Sequence, residues 1–102
     1  MDPDSILESS TGFDWDDGNV EKNWHLHRVA FWEAEEAFFN RPLIVTTDRK
    51  HSLSELRHLA LGHTDAGRHL FISFNVRRSL IRVISARDMT RRELYVYGKE
   101  KA

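Results

Sequence analysis

Cysteine is absent from this 102-residue sequence, and proline occurs only twice. Without cysteine, neither a disulfide framework nor a thiolate zinc site can form. Long apolar runs are also missing, since none approaches the roughly 20 residues that span a bilayer. The first twelve residues lack the basic start and the apolar core of a signal peptide. These absences favour a cytoplasmic protein that does not associate with a membrane.

The size and composition fit one small domain. Hydrophobic residues make up 40 % and charged residues 30 % of the chain, an ordinary globular mixture. Residues 1–12 are polar and rich in small side chains, so we predict a poorly ordered lead-in there and a single domain over residues 13–102. A chain of this length buries only about 60–65 % of its unfolded surface, so a permanent partner would add stability.

The net charge of −1 hides an asymmetry along the chain. Residues 1–50 carry 5 Lys/Arg against 11 Asp/Glu, whereas residues 51–102 carry 10 against 5. The basic second half is suited to phosphates or to an acidic partner. Its charges could equally pair with the acidic half of the same chain.

Local signals predict three helices. Asp16 resembles an N-cap for a first helix that runs to about His27. A second helix begins near Phe31 and ends at Asn40-Arg41-Pro42, because the residue before proline avoids the helical region. Its apolar spacing places four residues on one face: Phe31, Ala34, Ala37 and Phe38. Thr90 and Glu93 match a capping box at the start of a closing helix.

Alternating and β-branched segments predict the strands. A short piece at Phe13–Trp15 precedes the helices, and four further strands are expected at Leu43–Thr47, Glu55–His63, Leu70–Val76 and Leu80–Ala86. The short turns between the last three argue for an antiparallel meander. The fold class is therefore α+β, with an antiparallel sheet of about four to five strands, two N-terminal helices and a C-terminal helix.

Three segments, in order and over about residues 13 to 98, together resemble the BrnT family. The first comprises Phe13, Asp14, Trp15 and Asp16 followed by Asn23, His27, Val29, Phe31, Glu33 and Ala34. The second is Glu55 and Arg57 running into Leu61 and Gly62. The third and most specific spans Arg82 to Glu93, with Tyr97 behind it.

The resemblance implies a RelE-like fold and a toxin of a type II toxin–antitoxin system that cleaves RNA without the ribosome. It also implies a BrnA-like antitoxin with a ribbon-helix-helix DNA-binding part. Toxin and antitoxin would form a 2:2 complex that binds operator DNA through the antitoxin and represses its own operon.

RNA is cleaved when its 2′-hydroxyl attacks the adjacent phosphate, a reaction that needs a base, cations and an acid but no metal or other cofactor. The predicted catalytic residues are His27, Glu55, Arg57, Arg82 and Arg87, with Arg77, Arg78 and Arg91 as RNA-binding residues. His27 is a candidate for proton transfer because histidine is the side chain whose unperturbed pKa lies near neutrality. Glu55 could share proton transfer or orient an arginine, and the guanidinium fork suits phosphate.

Each of these residues also has a structural interpretation. His27 could donate to carbonyls at a helix end, and Glu55 and Arg57 could form a surface ion pair. Arg82, inside an apolar strand, needs an acidic partner. Because positions 82 and 87 differ by an odd number, a regular strand would place Arg82 and Arg87 on opposite faces. They can share a site only if that strand twists, bulges or ends early.

Several positions depart from the pattern typical of the family. Asn19 and Leu26 stand where lysine is usual, Arg28 where glycine is usual, and Ala30 where serine is usual. If Arg28 ends the first helix in a left-handed conformation, it costs roughly 1 kcal/mol there. The departures leave a second hypothesis open: a catalytically weak BrnT-like module that pairs with its antitoxin as a transcriptional co-repressor. An RNA-binding module without a toxin partner is a third.

The six histidines do not predict a metal site. His25 and His27 could chelate only from an extended segment, and that stretch is predicted to be helical. His58 and His63 fall on opposite faces of their predicted strand.

Overall fold

The computed structural model describes residues 8–51 and 55–101. Its elements in chain order are β1 (Gly12–Phe13), α1 (Asp17–His27), α2 (Phe31–Phe39), β2 (Ile44–Thr47), a 3₁₀ turn (Arg49–His51), β3 (His58–His63), β4 (His69–Arg77), β5 (Leu80–Asp88) and α3 (Arg91–Lys101). The predicted α+β class, with two N-terminal helices, a C-terminal helix and a five-stranded sheet, is confirmed. The RelE-like description is compatible with this arrangement.

The sheet has the strand order β1-β5-β4-β3-β2 and is antiparallel except at one edge. There β1 pairs in parallel with β5, with Gly12 opposite Leu80. The neighbouring Thr11 N–H donates to Ser79 O at 2.7 Å. Residues 1–7 of the predicted lead-in lie outside the described residues, so the lead-in remains a prediction.

One face of the sheet packs against α1 and α2 and forms the hydrophobic core. Ala34, Ala37 and Phe38 of α2 are buried there, as their spacing predicts, and the Phe38 ring meets Phe74 edge-on at 5.0 Å. Burial of a side chain of this size contributes roughly 2–3 kcal/mol. A Cβ at Gly62 would lie 3.1 Å from Ala37 O, so the glycine permits this close approach.

Phe31 differs from the prediction that placed it on the buried face of the second helix. It is 43 % exposed and meets the Trp15 ring edge-on at 6.0 Å, outside the core. Phe31 is the first residue of α2, whereas the buried Ala34, Ala37 and Phe38 lie in its later turns.

The helix ends follow the local signals closely. Asp16 accepts the Asn19 N–H at 2.7 Å, and at α3 Thr90 N–H donates to Glu93 while Glu93 N–H donates to Thr90 Oγ1. α1 ends at Arg28 in the left-handed region, with φ 53° and ψ 37°. Ala30 offers no capping side chain, but its own N–H donates to the Glu33 carboxylate at 3.0 Å. The second helix therefore keeps half of a capping box.

Polar side chains of α1 cover the edge of β5 beyond the short β1 pairing. Asn19 Nδ2 donates to Val83 O at 3.0 Å, and Lys22 Nζ donates to Ile84 O at 3.0 Å. Asn23 Oδ1, in a buried side chain, accepts from the β5 backbone N–H of residue 86 at 3.2 Å. These bonds satisfy backbone groups that would otherwise be open to another strand.

The third predicted strand begins later than expected. It starts at His58 rather than at Glu55, because its ladder with β2 begins at the pair of Thr47 and His58. Arg57 lies just before β3, where its carbonyl accepts from Asp48 N–H at 2.7 Å. Glu55 is thus a loop residue beside the sheet, and residues 52–54 lie outside the described part of the chain.

Candidate functional site

The outer face of the sheet, opposite α1 and α2, carries the polar side chains of the central strands. Phe74 points into the core, so its neighbours Ser73 and Asn75 point to the outer face. α3 contacts this side near the β3–β4 turn, where Tyr97 bonds to His63. The rest of the outer face carries the side chains predicted to form the functional site.

A β-bulge places Arg82 and Arg87 on this same face. In the β4–β5 ladder Ser73 pairs with Ser85, but Phe74 pairs with Val83, so Ile84 is the extra residue. An extra residue reverses the alternation of side chains beyond it. Arg82 and Arg87 therefore lie on one face although their positions differ by an odd number.

The two arginines nevertheless lie at different ends of the outer face. Arg82 pairs with Asn75 and Arg87 pairs with Phe71 on β4. Four residues of strand separate these partners, which corresponds to about 13 Å. Each arginine therefore belongs to its own cluster of side chains.

The first cluster, the hairpin end, consists of Glu55, Arg77 and Arg82. Arg77 donates two bonds to the Glu55 carboxylate, one of them from Nε to Oε2 at 3.0 Å. These bonds, and further the charge of Arg82, lower the pKa of Glu55. Arg82 also lies 3.7 Å from Asp16 Oδ2, the acidic partner that its strand position requires. The two arginines thus favour the ionised form of Glu55.

Arg57 and Asn75 extend the hairpin end across the outer face. Since His58 pairs with Phe74, the preceding Arg57 lies beside Asn75, which in turn pairs with Arg82. Asn75 is 9 % exposed, and no group in the described part of the chain donates to its Oδ1. Alternation with Arg77 could have identified Asn75 from the sequence, but its burial without a donor is visible only in the structure.

The second cluster anchors the start of α3. Arg87 donates to both carboxylate oxygens of Glu93, at 2.9 and 3.0 Å, and its guanidinium lies 4.0 Å from the centre of the Phe71 ring. The bonds from Arg87, and to a lesser degree those from Thr90, lower the pKa of Glu93. Arg91 is exposed in the first turn of the helix.

His27 lies away from the hairpin end. It is half-buried at the end of α1, and its charge contributes to the lowered pKa of Asp88, after the larger effect of Arg68. Asp88 follows Arg87 and points to the opposite side of the strand. The structure therefore brings together Glu55, Arg57 and Arg82, but not His27 or Arg87.

Arg68 was not predicted, although its guanidinium joins three elements. It donates to the carbonyls of His27 (3.1 Å) and Arg28 (2.7 Å) and to the Glu33 and Asp88 carboxylates, the latter at 2.7 and 3.1 Å. The role is structural, since it fixes the end of α1 to α2 and β5. These partners lie 20 to 41 positions away, so no local pattern reveals them.

The remaining titratable residues do not form a metal site in the ranges the structure describes. His58 and His63 lie on opposite faces of β3, as predicted. His58 is buried against Phe74, and burial lowers its pKa. His63 Nδ1 lies 2.6 Å from Tyr97 Oη, which itself donates to Pro42 O at 2.6 Å.

The fold and the outer face define a small α+β protein with arginines at both ends of one face of a mostly antiparallel sheet. The family model described as "Ribonuclease toxin, BrnT, of type II toxin-antitoxin system" matches residues 15–93. The chain belongs to this family, which implies an antitoxin partner. No curated protein sequence matches the chain.

A solved structure agrees with the family assignment at the level of the fold. The ribonuclease toxin BrnT of Brucella abortus superposes with a TM-score of 0.61 and 20 % sequence identity, covering 80 % of this chain and all of that one. No helix among the described residues is long and apolar enough to cross a membrane.

Proposed function

We propose that this chain is an endoribonuclease that cleaves RNA by attack of the 2′-hydroxyl on the adjacent phosphate, without a metal ion or the ribosome. The observation that supports this most is the hairpin end itself. An ionised carboxylate, Glu55, lies beside Arg82 on a face where Arg57 and Arg82 flank a buried amide. A base and two phosphate-binding cations are groups that the reaction needs, and the leaving 5′-oxygen takes its proton from water.

In this proposal Glu55 accepts the proton of the 2′-hydroxyl, because it is the carboxylate that Arg77 holds beside Arg82. Arg57 and Arg82 bind the phosphate and stabilise the added negative charge, since guanidinium groups bind phosphate in a bidentate manner. Arg77 holds the carboxylate in place. The exposed Arg78, at the turn after β4, and Arg91, in α3, contact the RNA backbone.

The test is cleavage of a single-stranded RNA by the purified protein in the presence of EDTA and without ribosomes. Arg82→Gln and Glu55→Gln should each lower the rate by roughly 100-fold, the usual loss for one proton-transfer or charge-stabilising group. Arg92→Gln, at an exposed α3 position, is the matched control and should cleave at the wild-type rate.

His27→Gln and Arg87→Gln distinguish this site from the wider one predicted from the sequence. If the hairpin end performs the chemistry, both variants should retain most of the activity. Loss of activity in His27→Gln with full activity in Glu55→Gln would contradict the assignment and move the chemistry to the other end of β5.

The antitoxin that we propose is BrnA-like, with a ribbon-helix-helix part, in a 2:2 cytoplasmic complex that binds operator DNA through the antitoxin. Membership of a type II toxin family supports a protein partner. Mass measurement of the co-expressed pair and an operator-binding assay test the stoichiometry and the repression.

A second function, that of a catalytically weak co-repressor, is favoured by the ion pairs of two arginines. Arg77 is already paired with Glu55, and Arg87 with Glu93. In addition, Asn19, at a position where the family usually has lysine, bonds to the β5 backbone instead. Purified protein that leaves RNA intact yet tightens operator binding by its antitoxin would favour this function over the first.

A further inference from the structure

The side of α2 that points away from the sheet combines exposed aromatic rings with carboxylates. Its residues follow the spacing i, i+3, i+4 and i+7 and form what we call the α2 face: Trp32, Glu35, Glu36 and Phe39. Trp32 is 53 % exposed and Phe39 is 76 % exposed. Trp32 makes no hydrogen bond, ring contact or cation contact within the described residues. Exposed aromatic side chains of this kind are enriched where proteins bind other proteins.

Both carboxylates of the α2 face are held by neutral donors. Glu35 Oε2 accepts from Trp15 Nε1 at 2.8 Å, and Glu36 Oε1 accepts from the Asp65 N–H at 3.1 Å. Neither glutamate forms an ion pair in the described part of the chain, whereas Glu33 on the same helix does. Two positioned negative charges therefore lie between two exposed rings, without a cation from this chain to balance them.

The charge of the α2 face restricts what can cover it. Residues 29–40 contain three glutamates and neither lysine nor arginine, so this surface repels RNA and anionic lipid. A second copy of the chain is disfavoured as well. A twofold interface uses the same patch on both copies, and it would bring Glu35 and Glu36 against their own counterparts. The complementary partner is a basic protein segment that also carries apolar side chains.

A groove at the end of α2 extends the α2 face with an apolar binding site. Its volume is about 370 Å³, and its apolar lining consists of Phe13, Phe38, Phe39 and Ile81. Phe39 belongs both to the α2 face and to the wall of this groove, so the two surfaces are continuous. Trp32 and Phe39 are seven positions apart, roughly 10 Å along the helix axis. One helix packed alongside α2 can contact both rings.

We propose that the α2 face binds a basic amphipathic helix of the antitoxin. Arginine or lysine side chains of that helix pair with Glu35 and Glu36, while its apolar side chains cover Trp32 and enter the groove beside Phe39. The inference rests on the antitoxin partner, which the family implies, and not on the RNA chemistry. α2 packs on the core side of the sheet, so a helix bound there leaves the hairpin end of the outer face uncovered.

The test uses the co-expressed complex of the chain with its antitoxin. The complex is immobilised through the antitoxin, and release of the chain into buffer is followed over time. Trp32→Ala should be released at least about 10-fold faster, because a buried tryptophan at an interface is commonly a hot spot and its loss acts on dissociation. Tyr95→Ala, which removes a 67 % exposed ring of α3, is the matched control and should be released at the wild-type rate. Equal release of Trp32→Ala and wild type would overturn the proposal.

A charge variant supplies a readout that a structural role would not change. Glu35→Gln combined with Glu36→Gln removes both charges, yet its amide oxygens can still accept from Trp15 and Asp65. Wild-type release should accelerate as salt rises from about 50 to 500 mM, because salt screens the ion pairs. The double variant should be released about tenfold faster at low salt and should depend little on salt. Glu100→Gln, at an exposed α3 position, should keep the wild-type dependence. A double variant with the wild-type salt dependence would refute the charge pairing.

Two measurements on the free chain separate binding from folding and from self-association. Trp32→Ala should keep the wild-type urea midpoint, because the ring is exposed and has no bonded neighbour in the described chain. A lowered midpoint that accounts for the faster release would assign Trp32 to the fold and overturn the proposal. A wild-type dimer that Trp32→Ala abolishes would assign the α2 face to a second copy, with the same consequence.

Failure of the proposed function gives a different pattern. If the wild type leaves RNA intact but Trp32→Ala is still released faster, the ribonuclease proposal fails and the α2 face stands. If Trp32→Ala cleaves RNA and is released as the wild type is, the ribonuclease proposal stands and the α2 face is refuted. A wild-type chain that forms no complex with the antitoxin refutes the proposed partner and the α2 face together.

Discussion

Replacement of Arg28 by glycine should stabilise the protein, because Arg28 ends α1 in the left-handed region. A residue with a Cβ in this conformation costs roughly 1–2 kcal/mol, whereas glycine adopts it freely. The Arg28 N–H donates to Trp24 O at 2.9 Å, and its carbonyl accepts from Arg68 at 2.7 Å. Both bonds involve backbone atoms of residue 28, so they survive the substitution.

Loss of one contact of the Arg28 side chain reduces the stabilisation expected for Arg28→Gly. Its guanidinium lies 5.3 Å from the centre of the Trp24 ring, and an exposed cation–π contact contributes about 0.5–1 kcal/mol. Arg28→Ala loses this contact and keeps the Cβ, so it should destabilise the fold by about that amount. The comparison of glycine with alanine therefore isolates the backbone strain, for which we expect about 1 kcal/mol in favour of glycine.

Urea unfolding followed by tryptophan fluorescence, supported by thermal melts, measures the difference. A change of 1 kcal/mol corresponds to roughly 4–8 °C in Tm for a domain of this size. Arg28→Gly and Arg28→Ala of equal stability would refute the reasoning, because the left-handed conformation would then carry no measurable cost.

Three further predictions concern pH, the β4–β5 turn and RNA contact. Burial lowers the pKa of His58 from 6.5, so on acidification the unfolded chain binds this proton before the folded one does. The free energy of unfolding of the wild type should therefore fall as the pH drops below about 6.5. In His58→Phe, whose ring can pack on Phe74, the free energy of unfolding in urea should depend less on pH between about pH 7 and 5. Arg78 and Ser79 both have positive φ (55° and 64°), so the combined change to Asn-Gly should raise the free energy of unfolding by about 1 kcal/mol. Leu26→Lys, at a 64 % exposed position, should steepen the dependence of log affinity for single-stranded RNA on log salt by about 0.7; an unchanged slope would exclude position 26 from RNA contact.

The parts of the fold that depend on neighbouring residues could be predicted from the sequence. The Asp16 cap, the left-handed end of α1 and the box at Thr90 and Glu93 all involve atoms within a few residues of each other. The strand alternation of β4 is equally local. Each of these features follows from side-chain chemistry at fixed spacing, so the chain need not be folded to show it.

The remaining features depend on contacts between distant segments. The bulge at Ile84 appears only when β5 is aligned with β4, and it decides that Arg82 and Arg87 share a face. Glu55 looked like a strand residue because it continues the alternation of β3, yet it lies beside the sheet and bonds to Arg77, 22 positions away. The residue types were enough to identify the reactive side chains of the candidate site. Their division between the two ends of the outer face follows only from the pairing of β4 with β5.

The polar cover that α1 places over β5 has a consequence for self-association. Sheets join across copies of a protein when exposed strand edges pair, and the chain needs two such edges to grow into a fibre. Asn19, Lys22 and Asn23 occupy backbone groups of β5 beyond its short pairing with β1, so this part of the edge is not open to another strand. At the opposite edge, β2 has β3 as its neighbour in the described sheet. Pairing between copies is therefore left to β2 at one edge and to the two-residue β1 at the other, and the cover by α1 shortens the edge at which a fibre could grow.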